Sequence, residues 1–263
     1  MASRKQSNRE RGGAAEREPA PKRQASPRVL IAAGVVLALL VAGLVLAVAV
    51  TGGSSGEEDA SSTANVATLP QGGEVAKLLA GIPQNGNVLG RPSAPVTLRE
   101  YADLQCPYCR GFDIESMEQL IGRYVRTGQL KIDLRLIATL GPDSQRGRGA
   151  VLAAAKQDKM FQLAKLLYLH QGAENSGWLT DDLIASAAAS IPGLDGDWVI
   201  EQRVAPDIAT QAQEMDADAT ADAVQVTPTI IVGKSGERGQ QVELSSPADY
   251  RSVADAIDNA LSS

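Results

Sequence analysis

Alternation of apolar and polar positions marks the strands of this chain. Val96, Leu98, Glu100 and Ala102 share one face of a strand over Val96 to Ala102. A Glu on that otherwise apolar face is a local conflict. Leu130, Ile132, Leu134 and Leu136 alternate with Lys131, Asp133 and Arg135, which predicts a second strand over Leu130 to Ala138. Between them, Phe112, Ile114, Met117, Leu120, Ile121 and Tyr124 follow an approximate 3.6-residue period, so Pro107 to Arg126 reads as a helix ended by Thr127-Gly128. Strand, helix and strand over this length form a βαβ unit, and its strands should be parallel.

The flanks add smaller elements. Glu74 to Ile82 predicts a short helix, and Asn87 to Leu89 a short edge strand. Helical patterns then run over Ser144 to Lys156, Lys159 to His170, Thr180 to Ile191, and Trp198 to Ala223 with a break at Pro206. Residues 139–224 therefore read as a helical insertion. Val226 to Val232 returns to strand character, but Pro228 must sit at its beginning or in a special turn, because proline cannot donate to a ladder. Gln241 to Leu244 is placed to pair with it as a hairpin. Pro247 to Leu261 closes the chain as a helix with Tyr250, Val253, Ala254, Ile257 and Leu261 on its buried stripe.

Composition changes the picture mainly at the N-terminus. Residues 1–28 are polar and hold eight of the 25 Lys/Arg but three of the 31 Asp/Glu, which leaves −11 for the rest. They read as a disordered basic tail. Val29 to Val50 is a 22-residue run without a charge, roughly 33 Å long as a helix and enough to span a bilayer. Positive charge before it and Glu57, Glu58 and Asp59 after it predict a cytoplasmic N-terminus and an extracytoplasmic remainder. The competing reading is a cleaved signal peptide, but the run exceeds the usual apolar length of about 7–15 residues. Residues 51–72 are rich in Gly, Ser, Thr and Ala and read as a flexible linker. The acidic balance of the main domain argues against nucleic-acid binding.

The chain has two cysteines, and they lie three apart: Cys106-Pro107-Tyr108-Cys109. At a helix start this spacing brings two sulfurs within bonding reach. Pro107 suits the first turn, where a missing N–H costs nothing. Cys106 then sits among free backbone N–H groups at the positive end of the helix dipole, which favours a thiolate. On this reading Cys106 is the exposed attacking sulfur and Cys109 the buried resolving one. A purely structural disulfide would contribute little by closing so small a loop. A zinc site would need ligands beyond one further residue, His170, so no metal is expected. Asp216, Asp218 and Asp222 lack the ligand ladder of a calcium loop and read as a solvated helix face.

Glu100 to Cys109 before a helix, the helical insertion, and Val226-Thr227-Pro228-Thr229 before a strand together resemble the DsbA-like branch of the thioredoxin superfamily, in its membrane-anchored Gram-positive and actinobacterial form. The resemblance covers roughly residues 73–262. It implies a thioredoxin fold made of 73–138 and 225–263, interrupted by the helical insertion at 139–224 and preceded by a transmembrane helix over 29–50. It implies an exported thiol:disulfide oxidoreductase that makes disulfides in secreted proteins and needs no cofactor. Its partners would be reduced secreted proteins and a membrane re-oxidase of DsbB-like or VKOR-like kind, and it would act as a monomer. Thr227-Pro228 matches the family's Thr-cis-Pro loop facing the dithiol and would bind an extended substrate chain. The residues alone would favour a trans bond there. Glu100, six residues before Cys106, matches the family's buried acid and would exchange a proton with Cys109; the other reading makes it a partner for a nearby Lys or Arg. Tyr108, with Pro107, occupies the tuning position between the cysteines and carries no positive charge to support a thiolate. Two alternatives stay open: a reductase or isomerase of the same fold, and an anchored, non-enzymatic binding module with a structural disulfide.

Overall fold

The computed structural model describes residues 66–263. The basic tail, the apolar run at 29–50 and linker residues 51–65 lie outside the described residues. Among the described residues no helix is long and apolar enough to cross a membrane.

Helix α1 spans Gly72–Leu79 and buries Val75 and Leu79. It stops before Ile82, where the expected helix ended, because Gly81 turns the chain at a positive φ of 74°. Two short strands follow, β1 (Gln84–Asn85) and β2 (Val88–Leu89). Strand β3 is Val96–Ala102. Helix α2 opens with Pro107–Phe112 and runs on through wider i→i+5 turns at Asp113–Met117 and Ile121–Val125, with Glu118–Leu120 between them. Its buried stripe includes Cys109, Phe112, Met117, Leu120, Ile121 and Tyr124. Strand β4 is Leu130–Leu136.

Five helices stand between β4 and the next strand: α3 (Pro142–Ala155), α4 (Met160–Leu169), α5 (Asp181–Ala189), α6 (Gly196–Gln202) and α7 (Pro206–Ala221). Helix α4 touches α1, α2, α3 and α5. It is buried on every side from Met160 to Tyr168, the pattern of a central helix rather than a surface one. Close packing extends to α3, where a side chain on Gly149 would run into the carbonyl of Arg203. The chain ends with β5 (Thr229–Lys234), β6 (Gln240–Val242) and α8 (Tyr250–Ser262), the last capped by Asp249 accepting from the Ser252 N–H at 3.2 Å.

The strands form one mixed sheet in the order β1-β2-β4-β3-β5-β6. β3 and β4 are parallel, from Val96 opposite Leu130 to Ala102 opposite Leu136. β5 runs antiparallel to β3 and pairs with β6 as a hairpin. β5 starts at Thr229, after Pro228, so the proline stays out of the ladder. The short strand β2 is not at the edge: it sits between β1 and β4, and β1 holds the margin.

Alternation sends Arg99 and Tyr101 of β3 and Asp133 and Arg135 of β4 to the sheet face opposite Glu100. There Asp133 accepts from Arg99 at 3.2 Å and from Arg135 at 2.8 Å. Asp222, just past α7, accepts from Arg99 at 2.7 Å and from the Tyr101 hydroxyl at 2.8 Å. Arg135 also pairs with Asp218, and Arg148 with Asp216 at 2.6 Å. The reading of these three aspartates as a solvated face is thereby corrected for Asp222, while Asp216 and Asp218 pair with arginines and stay half exposed. The sheet's own arginines reach across to α7, and the Asp222 side chain is buried against them.

Candidate active site

β3 ends at Ala102, and four residues later Cys106 opens α2. The turn between them is held by Asp103, which is fully buried. Its carboxylate accepts from the N–H groups of Gln105 (2.9 Å), Thr139 (2.8 Å) and Leu140 (3.0 Å) and from the Ser144 hydroxyl (2.5 Å). Its carbonyl accepts from the Cys106 N–H at 3.0 Å. Gln105 donates to the Leu140 carbonyl at 2.6 Å and accepts from the Asn175 N–H at 2.8 Å. Gln171 donates to the carbonyls of Leu104 (2.7 Å) and Cys106 (3.1 Å). Residues from α3, α4 and the loops beside them thus fix the turn that presents the dithiol.

Cys106 is the N-cap of α2, with extended backbone angles and Pro107 in the first helical turn. Its sulfur accepts from the Cys109 N–H at 3.4 Å and lies 3.3 Å from the Thr227 carbonyl, which accepts from the thiol when it is protonated. Both cysteines are free thiols. The expected exposure of Cys106 is corrected: the residue is 6% exposed, because the loop carrying Thr227 closes over its sulfur. Cys109 is fully buried, and Tyr108 between them is 63% exposed. The Thr227–Pro228 bond is cis, and the Thr229 hydroxyl donates to the Val226 carbonyl at 2.7 Å within the same loop.

The two thiols are driven apart in acidity. Donation from the Cys109 thiol is the largest influence on Cys106. With a contact from Thr227 and the N–H groups of Cys109 and Tyr108, it outweighs partial burial and brings Cys106 down to about 6. Burial first, then its donation to Cys106 and the charge there, holds Cys109 well above the ordinary thiol value. One sulfur is therefore poised as an anion and leaving group, the other as a proton-bearing thiol.

Glu100 lies on the β3 face beneath this pair and is buried. Burial, then the Asp113 carboxylate and Cys106, push it up to about 8, against the pull of Lys165. Among the described residues it forms no ion pair, and its Oε1 has no hydrogen-bond partner. Lys165 is instead taken by Asp113 at 2.9 Å and Glu118 at 2.8 Å, which argues against the reading of Glu100 as a simple salt-bridge partner. His170, past the end of α4, lies 3.2 Å from the Pro70 carbonyl.

Asp103, Gln105, Ser144, Gln171 and Lys165 escaped the sequence reading. The detectable signal was local. Asp103 and Gln105 are polar residues directly after an apolar strand and directly before the dithiol, where a buried turn must satisfy its own backbone. Nothing in the pattern of α4 marks Lys165 as buried.

A thiol:disulfide exchange centre on a thioredoxin scaffold is the class this geometry defines. A family model described as thioredoxin matches residues 83–258. The probable disulfide bond formation protein D of Bacillus cereus is 28% identical over 176 residues, covering 66% of this chain and 77% of that protein. Disulfide bond formation protein D of Bacillus subtilis is 25% identical over 177 residues, covering 66% and 76%. The crystal structure of oxidised BdbD from Bacillus subtilis shares the fold, with a TM-score of 0.61 at 23% identity over 68% of this chain and 94% of that one. The chain belongs to this thioredoxin family and is a DsbA-like thiol:disulfide oxidoreductase. An enzyme of this family displaces the reading of a non-enzymatic binding module.

Proposed function

We propose that this chain is a protein dithiol oxidase. It is held outside the cytoplasm by the apolar segment at 29–50 and introduces disulfides into exported proteins through Cys106 and Cys109. The observation that carries the reading is the cap geometry of Cys106, whose sulfur accepts from the helix N–H of Cys109 and has its protonation brought down to about 6. Stabilising that thiolate stabilises the reduced enzyme, and a stabilised reduced form makes the disulfide a stronger oxidant.

The steps follow. A substrate thiolate attacks the Cys106 sulfur of the oxidised pair, forming a mixed disulfide, and Cys109 departs as a thiolate. Glu100, protonated near neutral pH, supplies the proton that Cys109 takes up. A second substrate thiolate attacks its neighbour's sulfur in the mixed disulfide. Cys106 leaves as a stable anion, and the substrate keeps the new bond. Thr227-Pro228 binds the extended substrate backbone beside Cys106 by main-chain pairing. A membrane re-oxidase of DsbB-like or VKOR-like kind withdraws the two electrons, and the enzyme acts as a monomer. Pro107 and Tyr108 tune the pair. Tyr108 supports the reductase or isomerase alternative to a degree, since its exposed neutral ring offers the thiolate no charge.

Equilibration with glutathione redox buffers separates these directions. A potential well above the thioredoxin value of about −270 mV is expected, and one near or below it rejects the oxidase.

A further inference from the structure

Thr227 reaches the Cys106 sulfur from a short loop, residues 223–228, that leaves the end of α7 and enters β5 at Thr229. Such a loop offers its backbone to a substrate in a fixed place only if both of its ends are held. We propose that Asp222, clamped by Arg99 and Tyr101 of β3, is a positioning residue for this loop and sets the preference of the enzyme for an extended peptide backbone. This role deepens the reading of Thr227-Pro228 as the substrate-binding loop, on which it rests.

Both ends of the loop are tied to one residue. The main chain of Tyr101 lies opposite Thr229 in the ladder between β3 and β5, and its hydroxyl donates to Asp222 Oδ2 at 2.8 Å. Arg99, on the same sheet face, donates to the same oxygen at 2.7 Å. Arg238, from the turn between β5 and β6, closes the other side. Its Nη2 donates to the Ala221 carbonyl at 2.5 Å, and its Nε lies 3.4 Å from Asp222 Oδ1. The Asp222 side chain is 8% exposed, so water screens these contacts little. Val224 packs against the cluster of Tyr101, Ile137, Ala219 and Ile231. Between these two anchors Ala223 takes a left-handed φ of 56°, which its Cβ disfavours and which the contacts on either side hold in place.

Docking of α7 does not need this clamp. The helix already buries Ile208, Ala212, Met215 and Ala219, and pairs of Asp218 with Arg135 and Asp216 with Arg148 tie it down. Asp222 stands beyond its last residue, Ala221, and five residues before Thr227. What the clamp fixes is the point from which the chain departs toward the dithiol. β3 also leads through the Asp103 turn into Cys106, so one strand carries the nucleophile and both anchors of the surface beside it. Loosening Asp222 lets the loop shift while the sulfur keeps its cap. A thiol that makes no backbone contact then reacts as before, and one that pairs with Thr227 loses that gain.

The test uses the oxidised full-length chain and two probes. One is an unstructured peptide with a single cysteine. The other is the same peptide N-methylated at the residues flanking that cysteine, which keeps the thiol and removes the backbone donors. Each thiolate attacks the Cys106 sulfur and releases Cys109, and acid quench with intact mass follows the gain of one peptide. In the wild type the unmodified peptide should react roughly tenfold faster than its analogue. Asp222→Asn and Tyr101→Phe should cut that advantage to about twofold, through the unmodified peptide alone. The rate of the methylated peptide and the alkylation profile of Cys106 should stay unchanged. Tyr101→Phe keeps the ring in the core and removes only the hydroxyl, so it folds even where Asp222→Asn does not. Asp218→Asn, which frees α7 from Arg135 but leaves the loop clamped, should keep the full advantage. An advantage that survives in both clamp variants overturns the proposal and leaves the reading of Thr227-Pro228 standing. Equal slowing of both peptides in the clamp variants, or the same loss of advantage in Asp218→Asn, also overturns it, since either marks a general loosening of the domain. No advantage in the wild type removes the substrate-binding role of the loop and the clamp with it.

Discussion

Replacing Glu100 with Gln should stabilise the reduced protein, by an amount set by pH. The carboxyl is held up to about 8 from an ordinary 4.5, mainly by burial. A neutral acid and an amide share shape and charge, so the two proteins should be nearly equal in stability below about pH 4.5. As pH rises, the unfolded chain ionises this Glu while the folded one resists. The contribution of the protonated side chain is thus fully present below about 4.5 and is lost as pH climbs through about 8. A shift of 3.5 units at about 1.4 kcal/mol each sets a ceiling near 5 kcal/mol, and at pH 7 the linkage gives about 3 kcal/mol. Urea unfolding of both proteins at intervals from pH 4.5 to 8.5, with equal m-values, reads the difference directly. A gap that grows with pH supports the assignment. A gap that stays flat across this range refutes it and means that Glu100 is ionised in the fold. The stabilised variant should also exchange disulfides more slowly, which is the expected trade where a strained group serves chemistry.

Two further outcomes follow from the site. The rate of iodoacetamide reaction at Cys106 should rise with an inflection near 6, while Cys109 stays unmodified until well above the ordinary thiol value; an inflection near about 8.5 would contradict the capping argument. Asp103→Ala removes the acceptor for three backbone N–H groups and the Ser144 hydroxyl and leaves the Gln105 N–H and the Ser144 hydroxyl buried without it, so thermal unfolding should show a loss of about 2–4 kcal/mol. A loss under about 1 kcal/mol would mean that the turn is held by other contacts.

Regular elements were legible where one face is buried and the other wet. β3 has the expected bounds, β4 ends two residues before Ala138 and α8 begins three after Pro247, and the βαβ unit carried its parallel pairing with it. Legibility failed where a residue's surroundings come from distant segments. α4 shows a stripe in sequence but is buried all round, since four helices close on it. Asp222 looked like one of several surface acids, and only the arginines of β3 and β4 turn it inward. Cys106 was expected open to solvent, and a loop 121 residues away covers it.

The primary structure alone determined that two cysteines share a helix start, that a proline precedes β5, and that an acid sits on an apolar strand face. These follow from spacing and period, which are properties of neighbouring residues. The tertiary structure decided what those residues experience. It brought Thr227 against the Cys106 sulfur, carried Lys165 on a distant helix to Asp113 and Glu118, and gave Asp103 a buried turn to hold. The reason is physical: acidity depends on desolvation and on charges within a few ångströms, and the elements that supply both lie tens of residues away along the chain.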